Sequence, residues 1–238
     1  REIDVFVERI VLGLARVRDF AVLPDLVIAG RTRRQEIRDR MGSFARDPQL
    51  LATYAVGGSV LFSLVAAFTF ATYYLAAAPF GLGTIALGNV FFVYLGGVVV
   101  SPLAGRLIDR AGHRASIVLA IGVSISGMLL TLVPSVPAIV AGLALMSTGV
   151  FASQAASQGY IGVVAHERRS TAAALYLTVY YTGGGLGAVL PAIVWSRGGW
   201  PATVALIIAV QLVAAALAVT MWTRRARTAE AVPLASSV

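Results

Sequence analysis

Residues 101–116 read SPLAGRLIDRAGHRAS. The stretch holds Arg106, Asp109, Arg110 and Arg114, and outside it residues 49–223 carry only Glu167, Arg168, Arg169 and Arg197 as charges. Upstream, residues 48–105 are 58 uncharged positions, and downstream residues 115–166 are 52 more. A helix crossing the roughly 30 Å hydrocarbon core needs about 20 apolar residues at about 1.5 Å rise each. Each run is therefore long enough for two spans. The breaks belong at AAAPFGLG (76–83), where a proline and two glycines make a turn, and at PSVP (134–137). Residues 170–196 and 198–223 take one span each, across the hairpin SRGGWP (196–201). The resulting expectation is an all-α membrane protein with six transmembrane helices, at about 49–77, 84–104, 115–133, 137–160, 170–195 and 200–222.

Composition agrees. The chain has 238 residues, 58% hydrophobic and 13% charged, with a mean hydropathy of +0.83; soluble domains run at about 45–50% apolar and about 25% charged. There is no cysteine, which excludes a disulfide framework, a thiolate metal site and a cysteine nucleophile. The net charge of +8 does not point to nucleic acid. A nucleic-acid surface interleaves cations with aromatics on one exposed face, whereas these arginines sit in short clusters between apolar runs. Neither a metal nor a cofactor is expected, and the partners implied are the lipid bilayer and a small molecule.

Arginine also sets the expected orientation, because short basic loops stay cytoplasmic. Arg31, Arg33, Arg34, Arg38, Arg40, Arg46, Arg106, Arg110, Arg114, Arg168, Arg169, Arg224, Arg225 and Arg227 fall on one side, and Arg197 alone on the other. Both ends of the six-span unit and the tail of residues 223–238 are then cytoplasmic. Residues 1–48 form a separate segment. Ile3, Phe6, Ile10, Leu14 and Val17 have helical spacing with Arg9, Arg16 and Arg18 on other faces, which suits an amphipathic interfacial helix. A basic linker follows, and Pro48 stands near a helix start. Because the chain opens on Arg1 rather than methionine, further sequence upstream is expected.

In GRLIDRAGHR, Gly105 would let the end of the second span approach a neighbour closely. Asp109, one turn further, can face the positive end of an adjacent helix. Arg106 and Arg110 share a helical face, and Gly112 ends the turn before His113 and Arg114. A basic loop obeying the charge rule explains the arginines but not the Gly-x-x-x-Asp-Arg-x-Gly order.

That order resembles the loop Gly-x-x-x-Asp-Arg-x-Gly-Arg-Arg of the major facilitator superfamily, found there between the second and third helices and often again between the eighth and ninth. His113 stands where that loop usually has Arg or Lys. A second stretch, VFASQAASQGYIGVVAHERRSTAAALYLTVYYTGGGLGAVLPAIVWSRGGWP (150–201), resembles helices ten and eleven of bacterial drug and sugar efflux permeases of the arabinose-efflux-permease-like kind. The resemblance implies that residues 49–222 are helices seven to twelve, one half of a twelve-helix fold with a 3+3 inverted repeat. The remaining six helices would be an N-terminal half. It further implies a secondary active transporter in the bacterial inner membrane, a proton-coupled antiporter exporting small molecules. Gly105, Asp109, Arg110, Gly112 and Arg114 would then be a cytoplasmic gate or latch.

Gly183, Gly187 and Pro191, each four apart, make a small-residue face suited to close helix packing or to rocking. Polar groups within spans face protein or a water-filled cavity; here they are Asn89, Ser153, Gln154, Ser157, Gln158 and Gln211. Asn89, Gln154 and Gln158, with Tyr176 and Tyr180 one turn apart, are the substrate-cavity candidates, and interhelical hydrogen bonding remains the alternative. Phe70, Phe91, Phe92, Tyr94 and Tyr181 could line an apolar cavity, while Tyr73, Tyr74 and Trp200 suit the aromatic belt. No Asp, Glu, Lys, Arg or His lies mid-span, so a proton carrier is expected in the other half. An intramembrane enzyme is not expected: a nucleophile needs a base within reach, and His113 and His166 both fall in loops. Two alternatives stay open, a half transporter that dimerises with itself and a membrane protein that does not transport.

Overall fold

The computed structural model of the chain describes residues 47–94, 105, 106, 108–165 and 169–222. The amphipathic segment, the basic linker through Arg46, residues 95–104 of the second expected span, and the tail from residue 223 lie outside the described residues. All regular structure among the described residues is helical.

Helix α1 is Pro48–Ala76. The carboxylate of Asp47 accepts from the backbone N–H of Gln49 at 2.9 Å and of Leu50 at 3.4 Å, and Pro48 occupies the first turn, where its missing N–H leaves no bond unmade. After the turn at residues 77–83, α2 runs Thr84–Val90 and continues into a single 3-10 turn, Phe91–Val93. Helix α3 is His113–Leu130 and α4 is Val136–Val164. Helix α5 is Arg169–Met221, 53 residues in which two helices meet at Gly199, where φ is 58° and ψ is −144°. Unbroken, 53 residues would extend about 80 Å at about 1.5 Å each, far beyond the bilayer. A side chain at Gly199 would meet the steric penalty of the left-handed region, so glycine permits the break between the arms 169–198 and 200–221. Helices α1, α3, α4 and α5 are each long and apolar enough to cross a membrane.

The core centres on α1, whose Val56, Ala66, Ala67, Ala71 and Leu75 are fully buried, and which packs most extensively against α5 and then α4. Helix α3 pairs with α4. In contrast, Leu177, Val189, Ile193, Leu212 and Val213 of α5 are exposed. Exposed apolar side chains of this kind are a liability in water and the normal outer wall of a protein in lipid.

Small residues set the spacing between helices. A Cβ added at Gly183 would collide with the carbonyl of Gly58, and one at Gly187 would lie 2.5 Å from the carbonyl oxygen of Phe62. The first arm of α5 therefore lies backbone to backbone on α1, with Pro191 buried one turn beyond. Glycines bring α3 and α4 together in the same way: a Cβ on Gly142 would be 2.6 Å from the Gly127 carbonyl oxygen. The hydroxyls that enter these interfaces are mostly satisfied within their own helix, as Ser147 is by the Leu143 carbonyl at 2.7 Å and Thr53 by the Gln49 carbonyl at 2.7 Å.

Candidate functional site

Tyr176 and Tyr180 sit one turn apart on the first arm of α5, their rings nearly parallel with centroids 6.0 Å apart. Gly57 of α1 makes room for the first of them: a Cβ there would be 2.7 Å from Cζ of Tyr176. Across from both lies α4. The Tyr176 hydroxyl and Ser157 Oγ are 3.0 Å apart, and Ser157 donates its proton to the Gln154 carbonyl at 3.0 Å, which makes Tyr176 the donor of the pair. The Tyr180 hydroxyl donates to Gln154 Oε1 at 3.3 Å. Two tyrosines and one amide thus form a ladder of uncharged groups bridging α4 and α5. Tyr176 is buried at 2% exposure, whereas Tyr180 and Gln154 are half-buried.

The other two cavity candidates stand apart from this ladder. Gln158 is exposed on α4 and Asn89 is exposed on α2, and among the described residues no hydrogen bond joins either to it. Tyr94 lies close enough to Tyr180 for an electrostatic interaction. Tyr94 packs on Phe68 with centroids 4.3 Å apart and meets Phe151 of α4 edge-on at 6.2 Å.

A second cluster gathers where α1, α3, α4 and the second arm of α5 reach the same end of the bundle. Gly112 has φ of 79° and its carbonyl accepts from Ser116 Oγ at 2.8 Å, so the chain turns there directly into α3. From the first turn of α3, the Arg114 guanidinium donates to the carbonyl of Val219 in the last turn of α5, where the unpaired carbonyls of a helix end attract a cation. His113 packs edge-on against Tyr160 of α4, with centroids 5.6 Å apart, and Tyr160 stacks on Trp222 at 4.2 Å. Trp222 Nε1 donates to Thr53 Oγ1 at 3.0 Å, and the Tyr160 hydroxyl donates to Gln49 Oε1 at 2.7 Å.

Asp109 and Arg110 are exposed, and Asp109 interacts electrostatically with His113 one turn later. No described atom comes within 4 Å of a Cβ placed on Gly105, so the close approach expected of that glycine is not seen among the described residues. The imidazole that stands in place of a cation is, by contrast, built into the aromatic stack. Sequence reading missed this stack, because Tyr160, Trp222 and Thr53 carry no charge or spacing that marks them. Among the described residues no three His, Asp or Glu side chains come together as a metal site would need.

The profile of the Major Facilitator Superfamily matches residues 32–237. YybF of Bacillus subtilis (strain 168), named as an uncharacterised MFS-type transporter, is 30% identical over 169 residues, which cover 71% of this chain and 42% of that protein. An uncharacterised transporter of Buchnera aphidicola subsp. Schizaphis graminum is 31% identical over 155 residues, 65% of this chain and 38% of the relative. The chain spans about two fifths of the length of the curated relatives it matches. With apolar helices of membrane-crossing length and a family match that takes in every described helix, this chain belongs to the major facilitator superfamily.

Proposed function

We propose that the chain is the C-terminal six-helix half of a secondary active transporter, and that it works with an N-terminal half by alternating access. What carries this reading is the family match over residues 32–237 combined with alignment to only about two fifths of each relative. Substrate would bind between the two halves, near mid-membrane. Tyr180 and Gln154, half-buried and hydrogen-bonded to each other, would offer it an aromatic face and an amide, with Gln158 and Asn89 contributing exposed amides and Tyr176 supporting the ladder from behind. The loop of Gly105, Asp109, Arg110, Gly112 and Arg114 would act as a latch on the cytoplasmic side, Arg114 through its bond to the last turn of α5. Gly183, Gly187 and Pro191 would let the first arm of α5 stay in contact with α1 as the bundle rocks.

An uncharged, aromatic lining favours amphipathic or sugar-like substrates over phosphorylated anions, which would call for arginine within the membrane. Proton-coupled efflux across the bacterial inner membrane is the mode we infer, with the titrating carboxylate in the other half. The substrate would cross chemically unchanged.

The decisive experiment is transport by the complete gene in inverted vesicles, comparing wild type with Asp109→Asn, Tyr180→Phe and Gln154→Leu. Asp109→Asn should abolish uptake with normal membrane insertion, while Tyr180→Phe and Gln154→Leu should raise KM severalfold. Full transport by Asp109→Asn would reject the latch, and unchanged KM in both other variants would remove the ladder from the substrate path.

A further inference from the structure

Near the middle of the second arm of α5, the amide of Gln211 is 4% exposed. Its Nε2 donates to Ser124 Oγ on α3 at 2.9 Å, while its Oε1 finds no partner in the protein. On α1, Ser63 is 0% exposed and its Oγ likewise has no partner. Both unpaired atoms belong to residues lining one small cavity, which Ser59, Ser124 and Ser153 also border among aliphatic side chains. Four helices meet there: α1, α3, α4 and α5. The space open to the centre of a water-sized sphere is about 10 Å³, close to the least that admits a single water.

The donor and acceptor inventory fits one water as well. Ser59 and Ser153 have committed their protons to the carbonyls of Val56 and Gly149, each at 2.8 Å, and so can only accept. Gln211 Oε1 can only accept. Ser63 has a proton to give. Ser124 Oγ, which accepts from Gln211, also keeps a proton to give; a group with two protons to donate and two lone pairs to receive completes this set, and at mid-membrane depth no bulk water can do so. We propose that this cavity binds a single water molecule, which donates to Gln211 Oε1, accepts from the Ser63 hydroxyl and thereby joins α1 to the second arm of α5. A monovalent cation of similar size is disfavoured by charge: the lining supplies neutral oxygens and no carboxylate, and an uncompensated ion in a low-dielectric interior costs more than such dipoles return. The inference does not rest on transport.

Its test is a double-mutant cycle in thermal unfolding of the full chain in detergent, with Ser63→Ala, Gln211→Leu and the pair, each in sodium chloride and in choline chloride. Although Ser63 and Gln211 share no direct hydrogen bond, a water bridge couples them. Each single variant should lower Tm, and the double should fall little below the worse single, with both salts alike. Additive losses would overturn the bridge, and a saturable rise of Tm in sodium that Gln211→Leu abolishes would make the occupant a cation instead. Should Gln211→Leu fail to fold, a density map of the wild type decides: a peak about 2.7–3.2 Å from both oxygens supports the water, and a cavity with no peak overturns it.

Discussion

Thr53 and Trp222 stand 169 residues apart, yet one hydrogen bond of 3.0 Å between their side chains ties the first turns of α1 to the end of α5. Both groups are buried, at 0% and 1% exposure, so removing the acceptor strands the indole N–H. Thr53→Val should cost about 1–3 kcal/mol, read as a lowered Tm, whereas Thr53→Ser, which keeps the oxygen, should lose less. Gly112 offers a different single-residue test. Its φ of 79° with ψ of 163° lies where L side chains rarely go, and since nothing crowds the position, Gly112→Ala measures backbone strain almost by itself, about 1–3 kcal/mol. A Tm unchanged by that substitution would mean the turn readily adopts another conformation. Glycine in the motif could be recognised from its spacing. The tryptophan's partner could not, because nothing near Thr53 in sequence marks a donor so far along the chain.

At the scale of an element, α5 is the instructive case. Its first arm lies on α1 through Gly183 and Gly187, while a Cβ added at Gly185, between them, would meet no atom within 4 Å. Gly183→Ala should therefore reduce folded yield sharply and Gly185→Ala should leave it intact; comparing the two by size-exclusion of detergent extracts separates packing from helix propensity, which would act the same way on both. Equal yields would place the arm too far from α1 for backbone contact. Gly183, Gly187 and Pro191 read as a small-residue face from their four-residue spacing, and Gly183 and Gly187 do pack on a neighbour, but helical periodicity does not say that the neighbour is α1. The bend at Gly199 was legible as the hairpin SRGGWP, because Arg197, paired glycines and Pro201 interrupt the apolar pattern. The two arms meet at Gly199 as two helices, as the expected spans on either side of it require.

For the molecule as a whole, the arginine bias supports an orientation with Arg110 in the cytoplasm and Arg197 outside. The chain lacks cysteine, so single-cysteine variants give clean labelling. With an impermeant maleimide on intact cells, Arg197→Cys should react and Arg110→Cys should react only after permeabilisation. The reverse pattern would invert the topology, and reaction of both from one side would break the alternation of spans. Both residues are exposed, so the reagent can reach either position.

The sequence by itself determined that this is a helical membrane protein, because apolar runs of membrane length admit no other economy of backbone hydrogen bonds. It also determined the family, because the order of glycine, aspartate and arginine in residues 105–114 is local and survives without knowledge of any neighbour. Tyr176, Tyr180 and Gln154 were legible as polar or aromatic groups within spans. Which of them touch was not. Only the tertiary structure decided that Tyr180 meets Gln154, that Arg114 reaches Val219, and that Gln211 and Ser63 border one cavity. The physical reason is that membrane helices have little hydrophobic contrast with lipid to orient them. Their faces are set by close contact between small residues and by a few hydrogen bonds, and both depend on partners that periodicity cannot name.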